Sequence, residues 1–160
     1  MFQNLIGILR WAVELGRIDI HLEVSLLSRY LVSPRKGHLD ETIRIFRYLK
    51  KYSRSKIVFD DDYINWEEGR FSKEDWGDFY PNAKEPIPDD VPEERGLEAQ
   101  INCFVDADHA GDRLTRRSHS GILICVNKAP ITWYSKRQNT VETSTFGSEF
   151  VAAKIAVELI

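Results

Sequence analysis

Ile101-Asn102-Cys103-Phe104-Val105-Asp106-Ala107-Asp108 marks the place where this chain changes its period. Ile101, Cys103 and Val105 alternate with Asn102, Phe104 and Asp106, and a period of two belongs to a β-strand. Two more strands are expected after it. Gly121 to Val126 is apolar on both faces, as in a strand with neighbours on each side. Ile131 to Ser135 follows Pro130. The short connections make the three an antiparallel meander. Thr143, Ser144 and Thr145 then offer N-cap side chains to a helix that runs to Ile160.

Upstream the period is helical. Leu5, Ile8, Leu9, Ala12 and Leu15 recur at the spacing of one helix face, and a second apolar run extends from Ile20 to Leu31. A third helix is expected over about His38 to Tyr52, with Leu39, Ile43, Phe46 and Leu49 as its apolar stripe and Arg44, Arg47 and Lys51 on the other side. The predicted class is therefore α+β: a helical segment over 1–58, an acidic Pro-rich insert or linker over 59–99, and a three-strand meander with its helix over 100–160.

The chain has 160 residues, of which 42% are hydrophobic and 29% charged, which excludes a disordered or fibrous chain. Its longest strongly apolar run, Ile122 to Val126, is far too short for a bilayer, so no membrane partner is expected. No secretory leader pattern opens the chain, and Cys103 and Cys125 make no disulfide framework. Both read as buried thiols of an intracellular, reducing compartment. The net charge of -3 hides an uneven distribution, because residues 60–98 hold 14 acidic and 4 basic side chains. The remainder is basic and suited to a polyanion.

Two carboxylates carry chemical weight. Asp106 ends the first strand, and Asp108 and Asp112 follow it closely, a cluster that suits a hard cation with oxygen ligands. Glu149 falls among Phe146, Ala153, Ala156, Val157 and Ile160 on a helical wheel, opposite Lys154 and Glu158, and a carboxylate on an apolar face is costly unless something binds it. A strand-end aspartate and a helix glutamate joined by a meander could meet at one metal. Arg113, Arg116, Arg117, Lys136 and Arg137 lie in the two connections beside them, with Gln138, Asn139, Thr140, Thr143 and Ser144, a mixture suited to phosphate and sugar contacts. Phe59-Asp60-Asp61-Asp62 fits an aromatic-x-Asp-Asp polymerase pattern, but it opens the acidic insert and is read as part of it. The four histidines show no zinc spacing with the cysteines.

Phe104-Val105-Asp106-Ala107-Asp108-His109-Ala110-Gly111-Asp112, then Thr115-Arg116-Arg117-Ser118-His119-Ser120-Gly121, Trp133-Tyr134-Ser135-Lys136-Arg137-Gln138 and Ser148-Glu149-Phe150, resemble in order the blocks of the copia-type retrotransposon Pol polyprotein. Leu5-Ile6-Gly7, Arg17-Ile18-Asp19-Ile20 and His38 leading to Arg47-Tyr48-Leu49-Lys50 resemble the thumb and connection region of its reverse transcriptase. The resemblance implies that residues 100–160 begin a ribonuclease H domain, a mixed sheet with flanking helices that cleaves the RNA strand of RNA–DNA hybrids. By the same resemblance Asp106 and Glu149 are catalytic and ligate magnesium, Asp108 is a further candidate ligand, and Gln138, Asn139 and Ser144 touch the nucleic-acid backbone. The family site holds two magnesium ions on four carboxylates.

Two of those carboxylates, and the strands that complete the family's sheet, belong downstream of this helix, and the polymerase palm belongs upstream. The expectation is a part of a reverse transcriptase/ribonuclease H that is incomplete for catalysis, with hybrid or other nucleic acid and the rest of the Pol polyprotein as partners. It would reside in the cytoplasm, a virus-like particle or the nucleus. The alternative is a non-catalytic nucleic-acid-binding remnant of the same element.

Overall fold

In the computed structural model of the protein, residues 1–65, 79–82, 88, 90–92 and 95–160 are described. Helix α1 spans Phe2–Glu14, a single 3-10 turn Ile18–Ile20 leads into α2, His21–Ser28, and α3 spans Lys36–Lys51. Strands β1 (Ile101–Asp108), β2 (His119–Val126) and β3 (Ala129–Arg137) form an antiparallel sheet in the order β1-β2-β3, and helix α4, Thr145–Leu159, closes the chain. This is the α+β fold that the change of period predicts. The strands run longer than their apolar cores because Asp108, His119 and Arg137 extend the ladder in register.

The helices bury one stripe. Phe2, Ile6, Leu9 and Val13 of α1 pack with Ile20, Val24, Leu27 and Ile45, and Trp133 of β3 joins them from the sheet. The α1 stripe is rotated from the expected one, since Ile8 and Leu15 are exposed. In α3 the buried positions are Thr42 and Ile45, with Leu39, Phe46 and Leu49 partly covered, while Ile43 lies outside. A buried Thr fits because its hydroxyl donates to the His38 carbonyl at 2.8 Å. Gly16 turns the chain out of α1 at φ +107°, a conformation that glycine adopts without strain.

The sheet has two differently covered faces. Cys103, Val105, Ile122, Ile124 and Tyr134 pack against Ile155 and Ala156 of α4. The opposite face, with Trp133, His119 and Ser135, meets α2. Asn127 and Lys128 make the two-residue β2–β3 turn, with Asn127 at φ 55°, as a tight hairpin requires. Asp60 and Asp62 pair with Lys128 at 3.9 and 3.1 Å, so the start of the acidic insert is tied to this turn. Phe79 and Tyr80 are exposed. The other insert aromatics, Trp66, Phe71 and Trp76, lie outside the described residues. Both thiols are free; Cys125 is buried and Cys103 half-buried, and burial raises the pKa of each. No described helix is long and apolar enough to cross a membrane.

The face of α4 differs from the wheel expectation. Ser148, Ala152 and Ala156 are buried, whereas Phe146, Val157 and Ile160 are 79%, 75% and 64% exposed. The reason is distance. Small side chains let the helix backbone settle close on β1 and β2, where phenylalanine would hold it away. Phe146 and Phe150 instead stack on each other at 6.3 Å on the outer side.

Candidate nucleic-acid interface

Strand alternation places the two singled-out carboxylates. Val105 and Ala107 turn toward α4, so Asp106 turns to the other face with Phe104 and Asp108. There Asp106 lines a cleft of about 610 Å³ between the sheet and the Ile18–Leu26 segment. Its register partner on β2 is Gly121, which leaves open space beside the carboxylate. Glu149 sits half-buried in the second turn of α4, the helix on the other face. Neither carboxylate has a hydrogen-bond or ion-pair partner among the described residues, and neither joins a group of three potential metal ligands there. The donors are the right kind for magnesium, but this arrangement does not fit a two-magnesium centre, and no catalytic step is derived through one.

Asp108 belongs to a row of polar side chains across the sheet. Asp108, His119 and Arg137 are register partners across the three strands. The His119 imidazole lies 2.9 Å from the Ser135 hydroxyl and 3.5 Å from that of Ser25. Burial, then the nearby Arg29 charge, pulls its pKa down from 6.5 to about 4, against the opposing influence of Asp108. It is therefore neutral at pH 7. The Asp108 carboxylate itself folds over Gly111, where a Cβ would lie 1.7 Å from its Oδ2.

Asp112 is consumed within the fold. It accepts from the Thr115 hydroxyl at 2.7 Å and from the Leu114 and Thr115 backbone, and it pairs with Arg137 and with Arg29 at 3.2 Å. The Thr115 hydroxyl, then Arg137, hold its pKa well below the usual carboxylate range. A carboxylate so engaged has little left for a cation, although its sequence context groups it with Asp106 and Asp108. The same turn leaves Arg113 and Arg116 exposed on the loop rim.

The basic connections separate into three roles. Arg117, Lys136, Arg137 and Asn139 converge on one cleft of about 520 Å³, which Arg10, His21 and Arg29 complete from the helical segment. The helical members were not legible in sequence, because nothing local marks Arg10 or Arg29 as neighbours of β3. Gln138 is 3% exposed, and its amide donates to the Ser120 hydroxyl at 3.0 Å and the Ser148 carbonyl at 2.8 Å, bridging β2 to α4. Ser144 is the N-cap of α4, accepting from the Gly147 N–H at 3.1 Å.

Comparison with known proteins supplies the context for these residues. A retrovirus-related Pol polyprotein from transposon TNT 1-94 of Nicotiana tabacum is 27% identical over 95% of this chain. One from transposon RE1 of Arabidopsis thaliana is 25% identical over 93%. Retrotransposon Pol polyproteins are relatives of this chain. The chain spans 9% and 8% of those two polyproteins, so it corresponds to a small part of each. A secreted RxLR effector protein of Plasmopara viticola is 24% identical over 98% of the chain, which covers 87% of that protein. Neither a family model nor a solved structure matches the chain. The matched stretches take in nearly the whole chain, so helices and sheet are related as one unit.

Proposed function

We propose that this chain is the part of a retrotransposon Pol polyprotein that passes from the end of the reverse transcriptase into the start of its ribonuclease H, and that it engages RNA–DNA hybrid. The observation that carries the reading is that the free Asp106 carboxylate and the arginine-bearing connections lie at the same end of the sheet, in two clefts that share His21 and Ser135. Phosphate contacts from Arg117, Lys136, Asn139 and the exposed Arg113 and Arg116 would hold a backbone by charge and not by base sequence. Hybrid over duplex DNA would then be chosen by groove shape and 2′-hydroxyl contacts.

In this reading Asp106 is the carboxylate that faces the N-terminal helices, while Glu149 stands on α4 at the other face of the sheet, so the two do not share a metal in this arrangement. The 160-residue chain alone is then a binder and not a nuclease. Incubating it with labelled hybrid in magnesium tests this. Salt-sensitive binding without cleavage is the expected result. Cleavage lost in Glu149→Gln would show that a working site forms without further ligands, and absence of any hybrid binding would overturn the reading.

A second reading is a self-standing nucleic-acid-binding remnant without catalysis. It is favoured by the Plasmopara viticola relative, most of which this chain covers. Fusing the chain to the downstream part of a Pol polyprotein separates the two, because only the first reading expects cleavage to appear and to depend on Asp106.

A further inference from the structure

The cleft between the N-terminal helices and the end of β3 has an unbalanced charge. Arg10, Arg29, Arg117, Lys136 and Arg137 line it against one carboxylate, Glu14. Arg29 and Arg137 share a single counter-charge, Asp112. Arg10, Arg117 and Lys136 have no ion-pair partner among the described residues. Like charges gathered around one opening repel each other, and the arrangement is stabilised when an anion enters.

The donors are also placed in advance. The Arg10 Nε donates to the Ser28 hydroxyl at 3.0 Å, and that hydroxyl donates to the Val24 carbonyl at 2.6 Å, which fixes the direction of the Arg10 guanidinium. Among the residues that line the cleft, His21 Nδ1 and Arg29 Nε are buried and have no hydrogen-bond partner among the described residues. Buried polar nitrogens are nearly always satisfied, so these two, in a cleft lined by three cations without ion-pair partners, suit an acceptor with several oxygens. Guanidinium groups and a lysine around such a point match the tetrahedral oxygens of a phosphate.

We infer that this cleft is a phosphate-binding site, in which the helical segment and the sheet together grip one backbone phosphate of the nucleic acid. The inference rests on the nucleic-acid reading above and assigns to Arg10 and His21 a part in it. It also gives the packing of the two segments a purpose, since Arg10 and His21 come from one and Arg117 and Lys136 from the other.

The test is titration of a fluorescent RNA–DNA hybrid with the full chain across a salt series, for the parent and the double variant Arg10→Ala/Lys136→Ala. Lys154→Ala, a lysine on the outer side of α4, controls for loss of charge. Losing the hold on that one phosphate should lower affinity about tenfold and reduce the slope of log K against log salt by about 0.9. An unchanged slope in a double variant with parental circular dichroism would overturn the cleft and leave the hybrid reading standing. If the parent binds no hybrid, that reading falls, and the cleft is judged with inorganic tripolyphosphate by amide chemical shifts. Shifts at Arg10, His21 and Arg117 that the double variant lacks would then assign the site to free phosphate, and no shifts would overturn it.

Discussion

Arg29 lies 3.2 Å from Asp112, and through this pair helix α2 holds the loop that leaves β1. Arg137 meets the same carboxylate from β3, so one buried acid ties a helix, a loop and a strand together. Removing it would leave two guanidinium groups short of their counter-charge in a poorly solvated place. Asp112→Ala should cost about 3–5 kcal/mol, the range for breaking a buried pair from one side. Asp112→Asn keeps an acceptor for Thr115 and should cost less. Urea unfolding of both variants checks the order, and equal losses would show that shape, not charge, holds the loop.

Acid should loosen the same junction. The unfolded chain takes up the His119 proton near pH 6.5, and the folded chain only near pH 4. Between those values the unfolded state binds more protons, so stability falls as pH is lowered through that window. A shift of this size amounts to roughly 3 kcal/mol when fully expressed. The Asp112 contribution goes in the same direction but at lower pH, because its folded pKa is depressed below the usual range. Urea midpoints at pH 7 and pH 4.5 should differ clearly for the parent and much less for His119→Gln.

Gly111→Ala tests the conformation of Asp108. The added Cβ would fall 1.7 Å from Asp108 Oδ2, so the carboxylate must swing away. A loss of about 1–3 kcal/mol is expected from this overpacking. Asp108→Ala in the same chain should recover most of it, since the clash is with that side chain. A double-mutant cycle measures the recovery.

The face of α4 can be tested by a pair of substitutions. Ala152 is fully buried against the sheet, and Ala152→Leu should destabilise by about 1–3 kcal/mol because nothing there can yield. Phe150 is 63% exposed, and Phe150→Ala should stay within about 0.5 kcal/mol. The reverse order of melting temperatures would restore the helical-wheel assignment.

Much of the fold was legible from residue spacing. The change of period near Ile101, the three strands and a cap among Thr143, Ser144 and Thr145 are short-range features, set by which side chains stand one to four places apart. The basic connections were legible for the same reason, because their charges are consecutive or nearly so in the chain. The direction of each side chain was not. Phe146 and Val157 are more apolar than Ser148 and Ala152, yet the smaller pair is buried. A wheel ranks residues by hydrophobicity, whereas a helix lying on a sheet selects for size.

Sequence alone therefore determined the elements of this protein, their order and the polar character of its loops, because backbone preference and periodicity act locally. Tertiary structure alone decided which charges meet. Asp112 is paired where Asp106 is free, Gln138 is turned inward where Asn139 lines a cleft, and Arg10 stands with Lys136 across the junction of helices and sheet. Such meetings depend on how separate segments pack, and no local pattern in the chain encodes that distance.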